Sequence, residues 1–143
     1  MTVNETQKQG GQPPSGRRVL IADDEERLRK MYVLVLSDGI PSCSFDVAAN
    51  GAEAVAAFRT GHHAVVVMDV RMPVMDGEAA FKEIQKVCEA ENLKMPSVIF
   101  CTGYDLSDTI QRIVEKNPAH CLMMKPVRST PLVQAIESRL PPA

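Results

Sequence analysis

The sequence predicts an α/β fold, a five-stranded parallel sheet doubly wound with helices on both faces. Two observations lead there. Five short apolar runs recur along the chain, each separated from the next by a stretch with helical period. Four of the five are apolar at successive rather than alternate positions, which suits strands covered on both faces.

The elements follow in order. Residues 18–22 (RVLIA) form the first apolar run, a strand. Leu28, Met31, Tyr32 and Val35 then repeat at i, i+3, i+4 and i+7, one face of a helix that Gly39 can stop. Residues 44–48 (SFDVA) are the exception among the strands, because Ser44 and Asp46 alternate with Phe45 and Val47. That pattern places this strand nearer a sheet edge. Asn50 with Glu53 three residues later resembles a capping box, and Val55 and Phe58 face inward from the helix it starts. Residues 64–68 (AVVVM) form the third strand, and Phe81, Ile84 and Cys88 the stripe of the third helix. Residues 97–101 (SVIFC) are the fourth strand, with Ile110, Ile113 and Val114 marking a shorter helix after it. Residues 120–124 (HCLMM) are the fifth. Thr130-Pro131 reads as N-cap and first turn of the last helix, whose inner face carries Leu132, Ile136 and Leu140.

The ends read differently. Residues 1–16 are polar and rich in Gly and Pro, a disordered leader; 17–140 form one domain, and 141–143 a tail that cannot continue a helix. The 143 residues suffice for one buried core. With 45% hydrophobic and 24% charged residues and a net charge of −2, no basic patch points to nucleic acid. No apolar run approaches the ~18 residues of a membrane helix, and residues 1–16 hold no secretory signal. Cys43, Cys88, Cys101 and Cys121 form no C-x-x-C pair. They read as small core residues in a reducing, cytoplasmic setting. His62, His63 and His120 have no partner at metal-ligand spacing and read as loop or strand-start residues.

In such sheets the chemistry sits at the carboxyl ends of the strands. Strand one is followed by Asp23-Asp24, strand three by Asp69, strand four by Thr102 and strand five by Lys125-Pro126. Taken singly these are bland: an Asp there is usually a helix cap, a Lys-Pro usually a turn. Four strand ends carrying them in one register converge three carboxylates, a hydroxyl and an ammonium on one pocket. Carboxylates so close repel, and one would stay protonated unless a cation intervened. Mg²⁺ (or Mn²⁺) takes oxygen ligands of this kind. Lys125 and Thr102 then remain for phosphoryl oxygens, and phosphoryl transfer asks mainly for positioning and charge neutralisation.

The stretch Asp69-Val70-Arg71-Met72-Pro73-Val74-Met75-Asp76-Gly77, with Asp23-Asp24, Thr102-Gly103 and Lys125-Pro126, resembles the receiver domains of bacterial two-component response regulators over residues 17–140. The resemblance implies a flavodoxin-like strand order 2-1-3-4-5. It implies Asp69 as phosphoacceptor, and Asp24, Asp69 and the Arg71 backbone carbonyl as metal ligands, with Asp23 acting through water. It also implies Thr102 as the switch hydroxyl, Lys125 as the lysine that contacts the phosphoryl group, and a cis bond before Pro126. A histidine kinase or phosphotransfer protein would supply the phosphoryl group, and a protein target or an output domain would read it. Two positions depart from the family pattern. Leu122 stands where a switch aromatic is common, and Arg71 where a small polar residue is frequent. Without the aromatic, the signal is expected to pass through residues 103–107, with Tyr104 the most mobile side chain. The competing readings are a degenerate receiver that only binds protein, and a small hydrolase with an aspartyl-phosphate nucleophile. The first is opposed by the intact acidic set, the second by the lack of a segment long enough to cap a substrate.

Overall fold

The computed structural model describes residues 16–103 and 107–142. In chain order the elements are β1 (Arg18–Ala22), α1 (Glu26–Gly39), β2 (Ser44–Ala48), α2 (Gly51–Gly61), β3 (Val65–Asp69), α3 (Gly77–Glu91), β4 (Ser97–Thr102), α4 (Asp108–Lys116), β5 (Cys121–Met124) and α5 (Ser129–Glu137). The strands form one sheet in the order β2-β1-β3-β4-β5, all neighbours parallel, as the resemblance implied. The expected leader lies, but for Gly16, outside the described residues, and so does Tyr104.

Strand alternation splits the core into two layers. Val19, Ile21, Val65, Val67, Ile99 and Cys101 pack with Tyr32 and Leu36 of α1 and Leu132 and Ile136 of α5. Leu20, Val66, Met68, Val98 and Phe100 pack with Phe58 of α2, Phe81 and Ile84 of α3 and Ile110 of α4. Removing each such side chain from water contributes about 1.5–3 kcal/mol. Every residue of β3 is buried, as a strand covered on both faces requires. At the edge, β2 leaves Asp46 and Val47 exposed.

Several boundaries differ from the sequence reading. β3 runs one residue later than 64–68, so Asp69 is itself a strand residue, paired with Cys101. β4 extends to include Thr102, and β5 starts at Cys121 rather than His120. The buried side of α1 runs through Tyr32 and Leu36, while Met31 is 42% exposed. A 3.6-residue period admits both stripes, and docking on the sheet selects one. α5 begins at Ser129 with Arg128 as its cap, so Thr130 lies inside the first turn. At α2, Asn50 accepts from the Glu53 N–H at 2.9 Å, and Glu53 accepts in return from Ala49 N–H at 2.8 Å. The reciprocal bond thus falls one residue before the cap.

The histidines serve the scaffold. His62 takes the left-handed cap of α2 at φ 48°. His63 is buried and its Nε2–H donates to Asp46 at 2.7 Å. His120 accepts the Val98 N–H on Nδ1 at 3.0 Å. All four cysteines are free thiols.

Candidate phosphoacceptor site

The pocket is assembled where β1, β3, β4 and β5 end. Beyond β1, the Asp23 N–H donates to the Ala48 carbonyl at 3.1 Å, which carries the chain straight on from the strand. Its side chain is almost wholly buried. Asp23 Oδ1 accepts the Glu25 N–H at 2.9 Å, and the Asp23 carbonyl accepts Arg29 Nη1 at 2.8 Å. Asp24, next along, is exposed.

Asp69 closes β3 and is buried. Val70 still bonds across to the Cys101 carbonyl at 2.9 Å, and Gly77 N–H returns to the Val70 carbonyl at 2.9 Å. The loop between them is thereby pulled back against the strand end, and Asp76 caps α3 by accepting the Ala79 N–H at 2.8 Å. Gly77 is the residue that permits this closeness: a Cβ there would stand 2.4 Å from the Asp69 carbonyl oxygen. Val74, at the outer tip of the loop, has φ 69° and is 84% exposed.

Thr102 ends β4 and is buried; its carbonyl accepts the Lys125 N–H at 2.8 Å. The Lys125–Pro126 peptide is cis, as the sequence reading expected. Lys125 Nζ lies 3.2 Å from Asp23 Oδ2 and 3.2 Å from Asp69 Oδ2, so one ammonium bridges two carboxylates. Carboxylate oxygens of Asp23, Asp24 and Asp69 all lie within 4.8 Å of one another. Asp23, Asp24, Asp69 and Lys125 are therefore drawn into one cluster from strand ends far apart in sequence. The Arg71 side chain is exposed, and its backbone N–H bonds the Asp69 carboxylate.

The electrostatics follow from the crowding. Burial pushes the Asp69 carboxyl up to about 6, and the Asp23 charge pushes the same way, against Lys125 and the Arg71 amide. Burial opposes the charge on Lys125, but Asp69 and Asp23 outweigh it and hold the ammonium above its ordinary value. Among the described residues one ammonium thus faces three carboxylates, a set of hard oxygen donors short of positive charge. That donor set fits a small divalent cation such as Mg²⁺.

Two neighbours escaped the sequence reading. By sequence, Tyr32 is only one member of an apolar stripe. It is buried beneath the pocket, and its hydroxyl is held well above the ordinary phenol range by burial first and then by the nearby acids Asp23, Asp69 and Glu25. Glu78, in the first turn of α3, accepts a hydrogen bond from Ser107 Oγ at 2.9 Å. No sequence signal joins residues so far apart; a Glu early in a helix reads as a dipole partner.

A family model for the response regulator receiver domain matches residues 19–137. The chemotaxis protein CheY of Thermotoga maritima is 33% identical over 124 residues, covering 85% of this chain and 95% of that protein. A protein-glutamate methylesterase/protein-glutamine glutaminase of Aliivibrio fischeri is 36% identical over 81 residues, which are 57% of this chain and 22% of the relative. The chain thus spans nearly all of one relative and about a fifth of the other. Among solved structures, Vibrio cholerae CheY4 superposes with a TM-score of 0.69 at 25% identity, covering 88% of this chain and all of that one.

Proposed function

Because the chain belongs to the response regulator receiver domain family, we propose that it is a CheY-type signalling switch in which Asp69 accepts a phosphoryl group from a histidine kinase or phosphotransfer protein. The single observation that carries the reading is the Lys125 ammonium set 3.2 Å from both Asp23 and Asp69 inside a triad of carboxylates. A partly buried charge cluster contributes little to stability, so its presence in a cleft marks a functional site.

In this reading Asp24, Asp69 and the Arg71 backbone carbonyl hold a divalent cation, with Asp23 reaching it through water. Asp23 suits the outer role because both its oxygens already accept bonds, from Glu25 N–H and from Lys125. The cation, when bound, cancels repulsion between the carboxylates and the incoming phosphoryl oxygens. The Asp69 carboxylate attacks phosphorus; an Oδ–P bond forms as the bond to the donor's nitrogen or oxygen breaks, and the leaving group keeps the electron pair. Lys125 exchanges part of its contact with Asp69 for a phosphoryl oxygen. Thr102 donates its hydroxyl to another, a charge-assisted bond that draws the end of β4 toward Asp69. The domain promotes only its own phosphorylation and its loss, and it signals by its changed surface to a protein target or an output domain.

Incubation with acetyl phosphate tests this. With Mg²⁺ the intact mass should rise by one phosphoryl group; with EDTA, or in Asp69→Asn, it should not. Equal phosphorylation of Asp69→Asn would refute the assignment.

A further inference from the structure

The start of α4 is held by a side chain outside the pocket. Ser107 caps that helix, its Oγ accepting the Ile110 N–H at 3.4 Å. The same hydroxyl donates to Glu78 Oε1 at 2.9 Å. Glu78 belongs to the first turn of α3, which Gly77 fastens directly to the acceptor strand through Val70. Its second oxygen, Oε2, pairs with Lys82 at 3.2 Å. The Ser107 bond, foremost among its partners, holds the Glu78 carboxyl below the ordinary range, so the acceptor is charged at neutral pH. Ser107 is five residues beyond Thr102, the residue that closes β4. The chain that leaves the switch hydroxyl is thus tied at its far end to the helix that leaves the phosphoacceptor.

We propose that Glu78 is a positioning residue that tethers the start of α4 to α3 and so sets how readily Thr102 can close on a phosphoryl group at Asp69. The inference rests on the reading of Asp69 as acceptor. A bond made in one arrangement of the chain biases the equilibrium toward it. Here the bond stabilises Ser107, and through it Thr102, in the positions described. Ser107 follows Thr102 by only five residues, and among the described residues it is held by this tether, by the Ile110 cap and by the Gln111 N–H on its carbonyl. Lys82 offers an internal comparison. It touches the same carboxylate but is exposed and makes no link to α4, so its loss should leave the equilibrium alone.

Beryllofluoride, a phosphoryl mimic, reads this directly in the full chain with Mg²⁺. Glu78→Ala should bind it about 3- to 10-fold more tightly than wild type while melting no higher, the span expected of one charge-assisted bond that is partly exposed. A merely structural contact would weaken binding and stability together. Ser107→Asp keeps an N-cap but has no hydrogen to donate and faces Glu78 with like charge. It should reproduce the tighter binding, Glu78→Ala/Ser107→Ala should add little to Glu78→Ala, and Lys82→Ala should match wild type. Unchanged or weaker binding in Glu78→Ala, or additive effects in the double variant, overturns the tether while leaving Asp69 as acceptor. Failure of the wild type to bind the mimic at all overturns both.

Discussion

The chemistry of single residues here is set by what surrounds them. Asp69 titrates near 6 in the folded chain against 3.8 for a free carboxyl, with burial the main cause. A raised acid means the folded state holds the proton more tightly than the unfolded chain. Stability contributed by that proton is complete below the unfolded value and is lost as pH climbs through about 6. In EDTA, Asp69→Asn should therefore melt higher than wild type at pH 7.5, and the gap should close toward pH 4; a gap independent of pH would contradict the burial argument. Val74 makes a second case. A β-branched residue at φ 69° is strained, and at 84% exposure it has little packing to lose. Val74→Gly or Val74→Asn should stabilise by about 1 kcal/mol, a few degrees in thermal unfolding. The gathering of Asp23, Asp24, Asp69 and Lys125 was legible in the sequence because each lies just after an apolar run. The strain at Val74 was not, since nothing in a loop sequence reports the sign of φ. The burial of Tyr32 next to the acids was hidden too, because an apolar stripe looks the same whatever lies above it.

At the scale of elements, the loop between β3 and α3 is shaped as much by absent atoms as by present ones. Gly77 lets α3 begin against the end of β3, and the clash a Cβ would meet is with backbone, which cannot swing aside. Gly77→Ala should cost on the order of 3 kcal/mol and displace the Asp69 loop. Urea unfolding measures the first, and loss of acetyl phosphate reactivity the second. A neutral result would mean the loop has room that the structure does not show. The strands were legible almost to the residue, because four-residue apolar runs admit few registers. The stripe of α1 was not. Met31 and Tyr32 satisfy the helical period equally, and the choice of Tyr32 is made by packing on the sheet and on α5, contacts that a local period does not carry. The start of α5 shifted for a related reason: Ser129, Thr130 and Pro131 all suit a first turn, so composition alone leaves the cap undecided.

For the whole molecule, alternation of strands and helices implied a parallel sheet, while the order β2-β1-β3-β4-β5 came from the resemblance. Period and polarity say which segments are strands but not which neighbour each one takes; only the edge character of β2 was visible beforehand. That order brings four strand ends together, and arginines secure the opposite end of the sheet. Arg17 bonds the Ser42 hydroxyl at 2.7 Å and the Pro141 carbonyl, and Arg139 holds the Ala119 carbonyl at 2.8 Å. The pocket is thus a property of the fold, lost when the chain unfolds, and a cation that binds it must stabilise the folded state. Mg²⁺ at 100 times its dissociation constant should add about 2.7 kcal/mol, raising the melting temperature of wild type but barely that of Asp24→Asn. An equal rise in both would place the cation elsewhere. The most direct test is to phosphorylate the chain with acetyl phosphate and Mg²⁺, reduce the acyl phosphate with borohydride, and map the product by peptide mass spectrometry. Homoserine should appear at position 69 alone and vanish when EDTA replaces Mg²⁺. Reduction at another carboxylate, or none at all from a folded protein, would contradict the assignment of Asp69 as the residue that carries the signal.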